Sequence, residues 1–410
     1  MVGFQKSSMN IFVIPSWYPT NENQLVGRFF KEQACLYAGE FENDNVIISR
    51  WGQGEFIVDI SSPLNAAKKL FSFCRKSSFE TKIMSNVAEY YTPAIEVRPR
   101  KYSGGISSIV NANIENFKKA MDKYGNIDII HAHVSFPGGF VASKLSKMFG
   151  VPYVLTEHMG PFPFPFYLKN EKLSNNLKEA FEKASKVVAV SEFLKDEMFK
   201  FGIDTDAVIP DFVDDDFFVP DKSNIHDNKF IFFAASRITA AKGVEDMLYA
   251  FSMLCKKNKT AVLKIAGSGE LKNMTTLAKT LNIENRVEWL GELDEVGILE
   301  NLKICNAFIS CSRYETFGVA VSEALSVGRP VISTKSGGVN DMLNDRNSLA
   351  VPVGDIEAIY LAMGKMIFIS KEFDANFIRT DHIAKFGKKV VTERLRKLYC
   401  AAIGGAVCAP

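Results

Sequence analysis

The chain has 410 residues, 47% of them hydrophobic and 23% charged, with 49 Lys and Arg against 47 Asp and Glu. That length exceeds one ordinary core and suits two domains with a cleft between them, while the composition excludes a disordered chain and the near-neutral charge excludes a nucleic-acid-coating one. Cys35, Cys74, Cys255, Cys305, Cys311, Cys400 and Cys408 are odd in number and show no C-x-x-C and no His/Cys cluster at zinc-ligand spacing, which reads as reduced thiols. The first residues lack the pattern of a secretory signal and no stretch reaches about 18 apolar residues, so a cytoplasmic protein is expected.

In chain order, "NIFVIP" (10–15), "NVIISR" (45–50), "IDIIHAH" (127–133), "PYVLTEH" (152–158) and "KVVAVS" (186–191) are β-rich runs separated by helical patterns. Such alternation predicts a parallel sheet covered on both faces. Within this series "NAAKKLFSFCRKSSFETK" (65–82) is basic with interleaved aromatics. It fits a peripheral contact with an anionic membrane or an ordinary amphipathic helix. "PFPFPF" (161–166) is excluded from a helix interior and predicts an apolar loop, on the acceptor side of a cleft or packed on the other domain.

The rhythm breaks at "IPDFVDDDFFVPDKSNIHDNK" (209–229), where prolines, Asp and Asn make linker chemistry. A second series follows: "KFIFFAAS" (229–236), "AVLKIAG" (261–267), "RVEWLG" (286–291), "AFIS" (307–310), "RPVIST" (329–334) and "LAVPV" (349–353). The expected class is α/β, with two doubly wound Rossmann-like domains over 1–215 and 225–375. Ligands of such sheets bind beyond the carboxyl ends of the strands.

"RYETFGVAVSEALSVGRPVIST" (313–334) carries Glu315 and Glu323 in a segment that is otherwise mostly small or apolar. A helix is predicted from about Val319 to Ser326, with Gly328 as its C′ residue. The amides of Phe317, Gly318 and Val319 then form a helix N-terminus suited to a diphosphate, and ionised carboxylates suit paired hydroxyls. A nucleotide-sugar offers both, with its hexose against Glu315 and its ribose against Glu323. The competing reading is a capping role for Glu315 and an ion pair for Glu323.

In "SRITAAKGVEDML" (236–248), Arg237 and Lys242 follow a strand and suit a diphosphate, or else lie on a solvated face. "IAGSGE" (265–270) brings Gly267 and Gly269 to a tight turn where backbone can approach a ligand, or is an ordinary strand-to-helix turn. His131 and His133 close a strand, which is also where packed structural histidines sit.

Arg237, Lys242-Gly243, "AGSGE", "WLGEL" (289–293) and "SRYETFGVAVSEALSVGRPVISTKSGGVNDML" (312–343) together resemble the nucleotide-sugar domain of retaining glycosyltransferases of family 4. "PSWYPTNENQLVGRFFKEQA" (15–34), "IIHAH" (129–133), "VLTEH" (154–158) and "VAVSEFL" (188–194) are similar to the acceptor domain of that family. The resemblance implies the GT-B fold, with a last helix over 381–405 returning to the first domain. It implies Arg237 and Lys242 on the diphosphate, Glu315 on the donor sugar, Glu323 near the ribose, Gly27 in a loop facing the donor phosphate, and His133 near the reacting carbon. Two departures from the pattern are Asp211-Phe212 after Pro210 at the linker, and Asp341 where a Glu is usual.

The implied activity is transfer from a UDP- or GDP-sugar to a glycan or lipid-linked acceptor, with the anomer retained, in surface polysaccharide or glycoconjugate synthesis. The sequence lacks a strand-end D-x-D; "DDD" (214–216) lies in the linker. No metal and no other cofactor is expected, nor a nucleic-acid partner. The rival readings are a nucleotide-sugar epimerase or hydrolase on the same scaffold, and a catalytically silent nucleotide-binding module.

Overall fold

The computed structural model describes residues 8–20, 26–59, 61–98, 105–220 and 229–404. The chain forms two compact units, one of Met1–Val190, Lys195–Ile209 and Thr392–Pro410, the other of Ser191–Leu194 and Pro210–Val391.

The first unit is built on an eight-stranded sheet. Across it run Ala207–Val208, Lys186–Ala189, Tyr153–Glu157, Ile129–His133, Asn10–Pro15, Asn45–Arg50, Val87–Tyr91 and Phe79–Lys82. Every pairing is parallel except that of the last strand. The central runs are mostly apolar because helices cover both faces of a parallel sheet; Phe12, for example, packs edge-on to Phe117 of the helix Ile106–Tyr124, with ring centroids 4.9 Å apart. Strand order reverses at Asn10–Pro15, which has Asn45–Arg50 on one side and Ile129–His133 on the other.

The second unit holds a six-stranded, wholly parallel sheet in the order Val287–Gly291, Ala261–Ala266, Phe230–Ala235, Ala307–Ser310, Val331–Thr334, Ser348–Val351. Phe232, Leu248, Phe251, Ile265 and Ile309 lie in its core. Its reversal falls between Phe230–Ala235 and Ala307–Ser310, so the loops leaving these two strands border the crevice where open α/β sheets bind ligands.

Three expectations need correction. The single helix over 381–405 is two, Ala375–Phe386 and Lys388–Ala402, parted at Gly387, whose ψ of 151° is extended rather than helical. Asp215 Oδ1 accepts the Lys388 amide at 2.8 Å, and Asp214 and Asp216 pair with the Lys388 ammonium at 3.1 and 2.7 Å, so the linker acids cap the second helix. The segment 65–82 is likewise divided, into the helix Pro63–Cys74 and the exposed strand Phe79–Lys82. Finally, Cys400 is disulfide-bonded, which a scattered set of cysteines does not forbid. Cys35, Cys74, Cys255, Cys305 and Cys311 are free, and Cys408 lies outside the described residues. No helix among the described residues is long and apolar enough to cross a membrane.

Candidate active site

At the reversal of the second sheet, the chain leaves Phe230–Ala235 through Ser236 and Arg237, makes a short turn at Ala240–Lys242, and enters the helix Val244–Lys257 at Gly243. Gly243 has φ 62°, and a Cβ there would lie 1.9 Å from the Cys311 carbonyl oxygen, so only glycine lets this loop press against the one leaving Ala307–Ser310. That approach delivers Lys242 Nζ to 2.6 Å from Glu315 Oε1.

Ser312 Oγ donates to the same oxygen at 2.7 Å, and the Ser312 carbonyl is held by Thr334 Oγ1 at 2.5 Å. The Glu315 backbone is fixed as well, its amide donating to the Ser336 carbonyl at 2.7 Å and its carbonyl accepting from the Gly338 amide at 2.8 Å. Glu315 therefore does not cap the following helix; its carboxylate turns to a cation and a hydroxyl. The neighbouring Arg313 is committed to Asp246, 2.6 Å away. Arg237 is exposed and makes no ion pair among the described residues.

Gly267 and Gly269 adopt φ 136° and 134°. A Cβ at Gly267 would sit 1.8 Å from the Ser236 carbonyl oxygen, and one at Gly269 2.3 Å from that of Ile238. The Ile238 amide donates to the Ser268 carbonyl at 2.7 Å and the Glu270 amide to the Ile238 carbonyl at 2.8 Å. The glycine turn is thus strapped backbone to backbone against the Arg237 segment, a contact that side chains would prevent.

The helix Val319–Ser326 starts at Gly318, φ 103°, with no side-chain cap. Hydrogen bonding within it begins at Val321 and Ser322, both donating to the Gly318 carbonyl, and the amides of Phe317, Gly318 and Val319 find no partner among the described residues. Phe317 is 1% exposed, so its ring is packed in the core and is not a ligand-facing group. Glu323 is half-buried and four residues beyond Val319, hence on the same helix face, with its side chain leaning toward the helix N-terminus. Its neighbour Ser322 bonds His382 Nε2 at 2.9 Å, tying this helix to Ala375–Phe386.

In the first unit, His133 ends its strand with its Nδ1 3.0 Å from His158 Nε2. His133 Nε2 has no hydrogen-bond partner among the described residues. Burial, then His131 and His158, push its pKa well below the usual histidine range, so it is a neutral imidazole. Gly27, φ 70°, starts the helix Arg28–Glu40, where a Cβ would lie 2.4 Å from the Trp17 carbonyl carbon. That helix sets the Phe30 ring 4.7 Å from His133. His131 is structural: Nδ1 bonds Tyr399 Oη at 2.7 Å and Nε2 bonds Thr156 Oγ1 at 2.8 Å.

The structure thus joins Lys242 to Glu315, sets the Arg237 segment against Gly267 and Gly269, and puts His133 beside Phe30 of the helix that Gly27 starts. Sequence reasoning passed over Ser312 and Glu157. Glu157, fully buried, accepts the amides of Ser135, His158 and Met159 at 3.0, 2.8 and 2.8 Å, which fixes the loop after His133 and the backbone of His158. The available signal was an acidic residue closing an apolar strand in "VLTEH".

Residues 79–217 match the family described as Glycosyltransferase Family 4, and residues 215–379 match Glycosyl transferases group 1. An uncharacterized glycosyltransferase of Methanocaldococcus jannaschii is 26% identical over 286 residues, 68% of this chain and 76% of the relative. Two solved structures share the fold. Sucrose-phosphate synthase from Thermosynechococcus elongatus has a TM-score of 0.73 at 17% identity, over 96% of this chain and 98% of the other. Anabaena HepE, in complex with UDP, has a TM-score of 0.67 at 17% identity, over 96% and 100%. The shared architecture is GT-B.

Proposed function

The chain belongs to the group 1 glycosyltransferases of family 4, and on that premise we infer that it moves a sugar, with its anomeric configuration retained, from a UDP- or GDP-sugar to a glycan or lipid-linked acceptor. The observation that carries the donor reading is the contact of Lys242, from the turn after Phe230–Ala235, with Glu315, which together with Ser312 lies in the loop that leads into a helix whose first amides, at residues 317–319, have no partner among the described residues. Cations and amides suit the negative charge that builds on a departing diphosphate, and stabilise it more in the transition state than in the ground state. Arg237 and Lys242 take that charge, with the amides of Phe317, Gly318 and Val319.

Glu315 accepts hydrogen bonds from the sugar hydroxyls and Glu323 from the ribose, while Gly267 and Gly269 let backbone approach the nucleotide. Gly27 is assigned to the loop facing the donor phosphate and His133, neutral, to the sugar near its reacting carbon. In the reaction the acceptor oxygen bonds the anomeric carbon on the face that the diphosphate leaves, the carbon–phosphate oxygen bond breaks, and the acceptor proton passes to the departing phosphate. No metal is assigned a role.

The test is incubation with a panel of nucleotide-sugars, with and without glycan and lipid-linked acceptors, followed by proton NMR of fresh product. Acceptor-dependent nucleotide release with the donor's anomer, undiminished by EDTA, supports the reading. Release without acceptor favours a hydrolase, epimerised donor an epimerase, and binding without turnover a silent module. An inverted product, or activity lost to EDTA and restored by Mg²⁺ or Mn²⁺, overturns the mechanism.

A further inference from the structure

The helix Pro63–Cys74 contains no buried residue. Its inner side is nevertheless seated: Lys69 Nζ donates to the Glu55 carbonyl at 2.7 Å, Phe73 meets Phe56 with ring centroids 5.6 Å apart, and Lys76 just beyond the helix lies 3.6 Å from Glu55 Oε1. The opposite side is therefore the one that faces outward, and on a helix exposed only to water it should be polar.

It is not. Leu64, Lys68, Phe71 and Arg75 are spaced by four, three and four residues and fall on one stripe. Leu64 is 82% exposed and Phe71 59%, with Leu70 at 41% on the flank and Phe79 at 43% on the strand that follows. The cations of the stripe are interleaved with these apolar groups: the Arg75 guanidinium lies 4.0 Å from the Phe71 ring centroid, and Lys68 has no ion-pair partner among the described residues. Between residues 63 and 76 there are four cations and no carboxylate, in a chain whose net charge is only +2.

A second copy of this stripe would set cation against cation. An anionic bilayer satisfies both halves of the pattern, since apolar side chains enter the headgroup boundary while Lys and Arg stems extend to lipid phosphates. We propose that the helix Pro63–Cys74 lies in the plane of an anionic membrane surface, with Leu64 and Phe71 inserted and Lys68 and Arg75 on the headgroup phosphates. This gives the protein a reversible, salt-sensitive foothold on the surface where a lipid-linked acceptor resides. It requires nothing of the donor site.

The test is flotation of the full chain with phosphatidylcholine vesicles, with and without phosphatidylglycerol. Binding is expected only to the anionic vesicles and is released by high salt. Lys68→Glu and Arg75→Glu should each weaken partitioning by about fivefold or more, since a basic residue near an anionic surface contributes on that order. Phe71→Ser should weaken it comparably. Because the stripe packs on nothing, melting temperatures should be unchanged, and calorimetric affinity for nucleoside diphosphate should be unaltered. Failure of nucleotide binding in the parent protein would count against the proposed function and leave this proposal standing. Absence of binding to anionic vesicles, equal binding to neutral ones, or indifference to Phe71→Ser overturns it. So does concentration-dependent self-association in light scattering that Phe71→Ser abolishes, which would assign the face to a second copy.

Discussion

Lys242 Nζ lies 2.6 Å from Glu315 Oε1, with both side chains about one-fifth to one-quarter exposed at 25% and 18%. The pairing joins the residue assigned to the diphosphate with the one assigned to the sugar. An ammonium has three N–H donors and accepts nothing, so Lys242 can keep Glu315 while offering its remaining hydrogens to phosphate oxygen. The pair is a preformed corner of the site rather than a contact that ligand must break.

Lys242→Ala is expected to lower kcat by roughly 30- to 1,000-fold, the scale of removing one preorganised electrostatic donor, about 2–4 kcal/mol. Circular dichroism should not change, because Ser312 still holds the Glu315 carboxylate. Turnover within about threefold of the parent would make Lys242 a structural partner only and remove it from the proposed reaction.

The two glutamates should fail differently. Glu315→Ala is expected to lose most turnover and discrimination among donor sugars while binding free nucleoside diphosphate nearly normally. Glu323→Ala should weaken the nucleotide itself by tenfold or more, since a carboxylate's hydrogen bonds to hydroxyls contribute roughly 1.5–3 kcal/mol. Calorimetric titration of both variants with nucleoside diphosphate decides the matter, and equal losses in both, or none in either, would sink the division of labour.

What was legible in the chain follows from the range of the interactions. The apolar runs at 10–15, 45–50 and 307–310 are strands with the expected ends because both faces of a parallel sheet are buried and local composition alone reports that. Val87–Tyr91 was not legible. Its central Glu89 is 3% exposed and held by Tyr18 at 2.5 Å and Arg50 at 2.8 Å, partners 71 and 39 residues away, so its charge disguises a core strand. The same applies to the site. The motifs single out Lys242 and Glu315, 73 residues apart, but no spacing rule announces that they touch or that Ser312 joins them.

Gly267→Ala and Gly202→Ala should separate contact from backbone strain. Both glycines have positive φ, 136° and 74°. At Gly202 an added Cβ meets nothing within 4 Å, so the cost is the left-handed backbone alone, about 1–2 kcal/mol. At Gly267 the same Cβ meets the Ser236 carbonyl oxygen at 1.8 Å and must push the turn away from the Arg237 segment. Gly267→Ala is therefore expected to lower nucleotide affinity as well as melting temperature, and Gly202→Ala melting temperature only. Normal calorimetric affinity in Gly267→Ala would show that the turn does not approach the nucleotide.

Stability should fall on mild acidification, and the buried histidines set the window. Burial pushes the His131 pKa down to about 3, with His158 adding to it. His382 is pushed down to about 3, chiefly by burial; Asp381 opposes the shift, and Lys385 and Arg379 add to it. His133 is lowered too. In the unfolded chain each would titrate near 6.5. Below that pH the unfolded state binds protons that the folded state refuses, so stability is lost as pH falls, by up to about 1.4 kcal/mol per pH unit for each histidine. Glu89 acts in the same direction but later: burial raises its pKa, Tyr18, Arg50 and Lys31 together outweigh burial and leave it lowered, and that depression matters only below about 4.3, where an unfolded Glu takes up a proton. The interval from pH 6.5 to 5 therefore isolates the histidines. Urea unfolding across that interval should show a steady decline in the parent and a shallower one in His382→Gln, whose amide can still bond Ser322 Oγ. A stability that is flat or rises on acidification, or a His382→Gln slope equal to the parent's, would mean that these imidazoles take up protons without unfolding.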